Sequence, residues 1–487
     1  MRSKCLLQRG LRGVSLAAVA GAMAVGVSPT VAAGSDQIEL GRQLFEHKWV
    51  ANDPLCQDGD GLGPLHNADS CVACHNLGAT GGAGSAEHNV ALLTIVVGEG
   101  GGTRAKKAAA LQAKAGKLHP SFAPGPRTAS TVMLHQFGTD PRYERWRLSV
   151  LGLKLPALLD SKKADDVLRA AAELQSGGPS APSLTKKDGV SLQISRRNTT
   201  PLFGAGLIDS IPEKALVELA RQQAEDFPEQ KGRVGRAAGG GIGRFGWRGQ
   251  VANLREFVLS ACAMELGLEN EKHSQAPNPL DPRKKPTGND LTPEQCDALI
   301  AYVASLPASV RLEPANPDDA KHADRGEELF ESCGCTACHV PNVGKVTGIY
   351  SDLLLHDLGE GLRDPVPAIS ETGRASACAV QSSSSVQSSS SAYGGGRITE
   401  SLSREALALR REWKTPPLWG VRDSAPYLHD GRAKTLTEAI TAHGGQAESS
   451  VKKYHDLGLV GRSDLERFLK SLAAPQVRPA DSTVTQR

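Results

Sequence analysis

The pentapeptides Cys71-Val72-Ala73-Cys74-His75 and Cys335-Thr336-Ala337-Cys338-His339 are where residue type and spacing narrow the chemistry of this chain most. Each reads C-x-x-C-H, the attachment sequence of a c-type haem: two thiols add to the haem vinyl groups and the His that follows coordinates iron. Positions i, i+3 and i+4 share one face of a helical turn, so both sulfurs and the imidazole can reach one flat macrocycle. A chain with 10 Cys and 13 His in 487 residues should contain about 0.005 such motifs by chance, which makes a second occurrence hard to ascribe to coincidence. Zinc is the rival ligand, but zinc ribbons separate their Cys pairs by about 15–20 residues. Here the pairs stand roughly 260 residues apart and a His follows each.

The inventory of soft ligands limits the iron coordination. The methionines are Met1, Met23, Met133 and Met264, and none follows the second motif. His/Met ligation of that haem from its own half is excluded, and with it a common route to high potential. The histidines left to it are His356, His429, His443 and His455.

The N-terminus indicates the compartment. Arg2, Lys4, Arg9 and Arg12 precede an apolar run over residues 14–27, and Val31-Ala32-Ala33 offers a small-residue cleavage site. The run is short for a membrane span, which takes about 20 residues. Residues 1–33 therefore read as a secretory signal in preference to an uncleaved anchor, with no integral membrane segment after cleavage and the periplasm as destination. The formal net charge of +3 comes from that leader, and the remainder is near neutral. Such a chain has no electrostatic reason to bind nucleic acid.

The elements around each motif repeat. Gly41-Arg42-Gln43-Leu44-Phe45 belongs to a helix expected to run into the first motif, and Gly326-Glu327-Glu328-Leu329-Phe330 does the same before the second. Residues 296–306, ending at Pro307, and residues 464–472 form matching amphipathic helices that close each half. This is the plan of a cytochrome c domain, in which first and last helices pack together. The expected fold is mainly α, with two cytochrome c-like domains, the first carrying a large, partly β insertion. The domains are an N-terminal haem domain over 34–311 with the insertion at about 80–195, a linker over 312–321, a C-terminal haem domain over 322–475 and a tail over 476–487. Within the insertion, residues 78–84 form a glycine-rich loop, residues 90–97 and 130–137 read as strands, and residues 151–174 as helix. Residues 381–396, rich in Ser and Gly, read as a surface loop.

Longer motifs carry a family resemblance. Arg197-Asn198-Thr199-Thr200-Pro201-Leu202-Phe203-Gly204, Gly243-Arg244-Phe245-Gly246-Trp247, Trp413-Lys414-Thr415-Pro416-Pro417-Leu418-Trp419 and Ala425-Pro426-Tyr427-Leu428-His429-Asp430-Gly431-Arg432 resemble signatures of the di-haem oxidoreductases named for peroxidase or thiol oxidoreductase activity. The resemblance spans about residues 36–473 and extends more distantly to bacterial di-haem cytochrome c peroxidases and MauG-type enzymes. It implies a peroxide-binding haem in the N-terminal domain and an electron-entry haem in the C-terminal one. Trp247, Gly249, Leu254 and Glu256 match the W-x-G-x-x-x-x-L-x-E segment whose Trp lies between the haems and assists electron transfer. Glu265 matches the distal glutamate over the peroxide site, where a carboxylate can move a proton between the peroxide oxygens. His443 falls where peroxidases place an axial Met and MauG-type enzymes a Tyr, which makes His339 and His443 the expected iron ligands of the second haem. His429 is expected at a haem propionate or the domain interface. His356 matches an F-H-N-x-G loop without an assigned role. Asn198, with Ser424 and Pro426, matches an interdomain Ca²⁺ site.

The chain also departs from the peroxidase pattern. No His stands among residues 187–195, where peroxidases carry a removable ligand, and Phe257 occupies a position where relatives often have Gln. The sixth site of the first haem, whose proximal ligand is His75, is therefore either open or closed by His88, His119 or His135 of the insertion. Cys262 and Cys296 are the expected disulfide pair. Thiol oxidoreductase chemistry lacks a dithiol, since both C-x-x-C pairs are taken by haem. The leading function is an extracytoplasmic di-haem c-type cytochrome oxidoreductase of peroxidase type, with hydrogen peroxide as oxidant and a small cytochrome or copper protein as electron donor. The alternatives are a di-haem electron carrier without substrate chemistry, and a MauG-like oxidase of a protein substrate.

Overall fold

Gly41, Leu44 and Phe45 fall at i, i+3 and i+4 and are the buried face of helix α1 (Ser35–Glu46). The computed structural model describes residues 34–96, 104–124, 128–151, 183–237, 239–283, 288–365, 367 and 409–475. The helical elements used below are α2 (Cys71–Cys74), α3 (Arg104–Leu118), α4 (Arg142–Val150), α5 (Glu213–Asp226), α6 (Leu254–Glu265), α7 (Pro293–Ser305), α8 (Pro317–Ser332), α9 (Leu436–Ala442), α10 (Glu448–Asp456) and α11 (Leu459–Ser471). Helix α7 starts with Pro293 and a Thr292/Gln295 capping box, which satisfies two of the otherwise orphaned donors at its first turn.

The two halves repeat one crossing. Helix α1 lies against α7 so closely that a Cβ at Gly41 would stand 2.0 Å from the Ala298 carbonyl oxygen. Helix α8 meets α11 the same way, with a Cβ at Gly326 falling 2.0 Å from the Asp464 carbonyl oxygen. Beside each crossing two rings pack, Phe45 on Tyr302 at 5.3 Å and Phe330 on Phe468 at 5.4 Å between centroids. Glycine is required at both positions because backbone meets backbone there. Gly41→Ala and Gly326→Ala are each expected to destabilise by about 1–3 kcal/mol through overpacking, although Ala is the better helix former by up to about 1 kcal/mol. Thermal unfolding checks this, and unchanged transitions in both variants would rule out the close crossing.

The insertion builds a four-stranded antiparallel sheet in the order β2-β1-β4-β3, where β1 is Val90–Val96, β2 Thr131–Leu134, β3 Ser183–Lys187 and β4 Val190–Arg197. It has a core of its own, including Leu93, Ile95, Phe122, Val150 and Leu192. Strand β4 ends at Arg197 and so delivers Arg197 and Asn198 to the space between the halves. Among the described residues helices outweigh strands, and this is the one sheet of more than two strands. No helix of the described residues is long and apolar enough to cross a membrane.

Several expectations need correction. The first helix does not run into its motif: it ends at Glu46, and residues 47–70 intervene. Asp53 explains the break, since its carboxylate accepts the Val50 and Leu55 backbone N–H groups and folds the chain into a loop. The expected strand over 130–137 is broken after Leu134, where His135 turns to bond the Met264 carbonyl at 2.8 Å. The segment read as a linker is helical from Pro317, with Asn316 as N-cap. Cys262 and Cys296 are free thiols buried in the N-terminal core, one on α6 and one on α7, not a disulfide. They pack there as small apolar residues. The signal, the tail, the Ser-rich loop and nearly all of the helix expected over 151–174 lie outside the described residues.

Candidate functional site

The first pentapeptide forms a single helical turn, α2, capped by Ser70, whose Oγ accepts the Ala73 N–H at 3.2 Å. Cys71, Cys74 and His75 line a largely apolar cleft of about 1550 Å³. The glycine-rich loop folds back through a bridge between Leu77 and Ala83, and His75 Nδ1 donates to the Gly82 carbonyl at 3.1 Å. With Nδ1 so engaged, Nε2 is the ring nitrogen that could ligate a metal. Burial lowers the His75 pKa to about 4 and raises that of Cys71 to about 12. The imidazole is therefore neutral, the form that binds metal.

The second pentapeptide repeats this arrangement. Cys335, Cys338 and His339 line a cleft of about 1490 Å³. His339 Nδ1 donates to the Tyr350 carbonyl at 2.8 Å, and burial lowers its pKa to about 4. Phe330 stands 6.1 Å from the His339 ring, just as Phe45 stands 6.3 Å from His75. His443 follows the last residue of α9 and lines the same cleft as His339. Its Nδ1 donates to the Ala439 carbonyl at 2.7 Å, which again leaves Nε2 for a ligand. His356 and His429 also line this cleft; His455 does not.

The wall between the clefts is common to both. Trp247, Asn198, Thr199 and Thr200 line each of them. The Trp247 indole N–H donates to the Asn198 carbonyl at 2.9 Å, which fixes its ring in the partition. His429 lies flat on Trp413, 3.6 Å between centroids and 15° between planes, and its carbonyl accepts the Asn198 N–H at 2.8 Å. Burial lowers the His429 pKa to about 3. The Arg248 guanidinium stands 4.0 Å from the Trp413 centroid, and both Arg197 and Arg248 pair with Asp364 at 2.6 Å. Burial opposes ionisation of Asp364, but the two guanidinium groups outweigh it and hold its pKa well below the carboxylate range. The Asn198 amide donates to the Pro426 carbonyl at 2.5 Å, while its Oδ1 is buried without a hydrogen-bond partner.

Glu265, the last residue of α6, lines the first cleft together with His75. Asn67 Nδ2 donates to Glu265 Oε2 at 2.6 Å, and the Asn67 N–H donates to the Glu265 carbonyl at 2.7 Å. Asn67 also touches Met133 Sδ at 3.0 Å. Sequence reasoning missed Asn67; its place four residues before Cys71 is the one signal that could have marked it. Of the insertion histidines only His88 lines this cleft. His119 is buried beside Phe122 and Trp146, and His135 bonds Met264. His88 Nδ1 is buried with no hydrogen-bond partner. It thus lacks the carbonyl contact that fixes His75, His339 and His443.

Two matched clefts, each with two free thiols and an oriented neutral imidazole, form a donor set suited to two large planar cofactors. The family model described as "Di-haem oxidoreductase, putative peroxidase" matches residues 170–378 and 398–472. The chain belongs to the di-haem oxidoreductase family. Haem is thereby its cofactor class, and the matched residues of this di-haem oxidoreductase include the second pentapeptide but begin downstream of the first. Over 186 residues it is 27% identical to hydrazine synthase subunit gamma of Kuenenia stuttgartiensis, which covers 38% of this chain and 50% of that protein. The chain spans about half the length of the curated relative it matches. Among solved structures it is similar to Kuenenia stuttgartiensis hydrazine synthase pressurized with 20 bar xenon, at 20% identity and a TM-score of 0.31 over 62% of this chain and 80% of that one. It is also similar to a MauG-like protein associated with microbial copper homeostasis, at 16% identity and a TM-score of 0.26 over 55% of this chain and 90% of that one.

Proposed function

We propose that this di-haem oxidoreductase is a periplasmic peroxidase-like enzyme with two covalently attached c-type haems. Hydrogen peroxide is reduced in the N-terminal cleft, and electrons enter at the C-terminal one from a small cytochrome or copper protein. Cys71 and Cys74 would hold the first haem and Cys335 and Cys338 the second, with His75 and His339 as proximal ligands. The fit rests on free sulfurs in each cleft and on imidazoles whose Nδ1 is already engaged.

One observation carries the reading, an asymmetry between the clefts. The C-terminal cleft contains two imidazoles turned for ligation by backbone carbonyls, His339 and His443. The N-terminal cleft contains one, His75, together with a carboxylate, Glu265. Two strong axial ligands suit a site that only passes electrons, whereas one ligand and a carboxylate suit a site that takes a substrate.

When bound, the haems supply the electrons and the site at which peroxide is reduced. Glu265 takes a proton from one peroxide oxygen and returns it to the other, so that water becomes the leaving group. Asn67 keeps the carboxylate in place through its bond to Oε2. Trp247, held by the Asn198 carbonyl, bridges the clefts for electron transfer. Two electrons and two protons then convert one peroxide to two waters. Asn198 Oδ1 and the Pro426 carbonyl are atoms that a Ca²⁺ ion could bind at the interface, in keeping with the buried Oδ1 that lacks a partner.

His443→Gly tests the assignment of the electron-entry site. Ferric EPR should lose the low-spin signal of the C-terminal haem and gain a high-spin one. An unaltered low-spin signal would move the second ligand to another histidine of that cleft.

A further inference from the structure

Beside the second attachment motif runs a buried polar chain that neither haem attachment nor iron ligation uses. Asp352 is 0% exposed and His356 is 2% exposed. His356 Nε2 lies 2.8 Å from Asp352 Oδ2, and its Nδ1 lies 3.5 Å from Cys338 Sγ. Asp352 is otherwise saturated: Oδ1 accepts the Leu354 N–H at 2.9 Å and Oδ2 also accepts from Gln223 Nε2 at 2.9 Å. A buried carboxylate needs a compensating charge. Burial alone would disfavour the charged imidazole, but Asp352, and after it the Cys338 sulfur, outweigh it and hold the His356 pKa well above the usual histidine value. With both ring nitrogens protonated, Nδ1–H donates, and the atom it faces is the Cys338 sulfur.

The N-terminal half holds this chain in place. Gln223, on α5, also donates to the Ala337 carbonyl between the two attachment cysteines and accepts the Gly232 N–H. Gly232 packs on the imidazole so tightly that a Cβ there would meet His356 Cε1 and Nε2 at 2.7 Å. The next residue, Arg233, exchanges backbone hydrogen bonds with Leu355 at 3.1 and 2.8 Å. Among the described residues no histidine stands against Cys74, the equivalent sulfur of the first motif. The feature is specific to the electron-entry side.

We propose that Asp352 and His356 are a positioning dyad for the C-terminal haem, donating an N–H to the Cys338 sulfur at the thioether edge of the cofactor. Gln223 ties that dyad to the N-terminal half. An N–H donated to the sulfur draws electron density from the cofactor and favours the ferrous state, so the dyad sets the potential of this haem above what two imidazole ligands would otherwise give. The proposal rests on the reading that Cys338 carries haem.

The test compares holo wild-type protein with His356→Phe and Asp352→Asn. Intact mass counts haem adducts, and spectroelectrochemical titration reads the midpoint potential of each haem. Both variants should carry two adducts. In His356→Phe the ferrous/ferric equilibrium of the C-terminal haem should shift toward ferric by about tenfold, equivalent to about 59 mV for one electron. Asp352→Asn keeps a neutral Nδ1–H donor but loses the carboxylate that strengthens it, so its shift should be smaller and of the same sign. The N-terminal haem should keep its potential. Two adducts with wild-type potentials in both variants would overturn the proposal, and the isosteric Asp352→Asn decides alone should His356→Phe not fold. Wild-type protein lacking the second adduct would overturn the site reading and the dyad with it; the mass reveals this before any potential is read.

Discussion

Replacing Cys335 and Cys338 together by alanine is expected to leave a chain with one covalent haem where the wild-type chain carries two. The expectation comes from geometry as well as motif. Both sulfurs line one cleft with His339, on a single tight turn, and neither is bound to another cysteine. Cys335 is pushed up to about 12 by burial, so the folded apo-protein keeps it as a neutral thiol. The companion cleft has its own pair and its own oriented imidazole, so the first haem should be retained. Intact mass should fall by one haem. Peroxide turnover with an external donor should fall at least about 10²-fold, because the bridge at Trp247 would no longer lead to an electron source. A variant that keeps two adducts would contradict the assignment of this motif.

Glu265→Gln is the second large effect. Glutamine keeps the shape of the side chain and can still meet Asn67, which now bonds Oε2 at 2.6 Å. It cannot accept a proton. General acid–base help of this kind is worth about 10²–10⁴ in rate, and turnover with peroxide should drop by that factor. The haem spectra and the potential of the C-terminal haem should stay near wild type, since Glu265 lines the other cleft and is placed there as a proton carrier, not as a ligand. A drop in turnover accompanied by altered spectra would indicate a structural role, and unchanged turnover would remove Glu265 from the mechanism.

Much of this architecture was legible in the residues. The repeat of the pentapeptides marked the two clefts, each of which one of them lines, and the repeated Gly-x-x-Leu-Phe segments marked the helix faces that cross α7 and α11. His443 was legible through its segment and lines the cleft of His339. What was hidden depends on contacts between residues far apart in sequence. The loop over 47–70 depends on the Asp53 carboxylate capturing backbone N–H groups, and a sequence pattern does not tell a capping Asp from a solvated one. Asn67 meets Glu265, and Arg197 and Arg248 meet Asp364, only after the chain has folded. His356 stood in a recognisable loop, but its partners Asp352, Cys338 and Gly232 come together through strand β5 (Leu355–Asp357), which pairs with β6 (Glu412–Lys414). Cys262 and Cys296 looked like a pair because they flank the same domain end. Each is an apolar core position on its own helix.

The most direct measurement is EPR of the fully ferric, doubly haem-loaded protein, followed by the same spectrum after one-electron reduction and addition of peroxide. One high-spin and one low-spin signal are expected at first, then loss of the high-spin species on reaction with peroxide. Two low-spin signals in the ferric protein, with no response to peroxide before or after one-electron reduction, would contradict the peroxidase reading and make the chain an electron carrier.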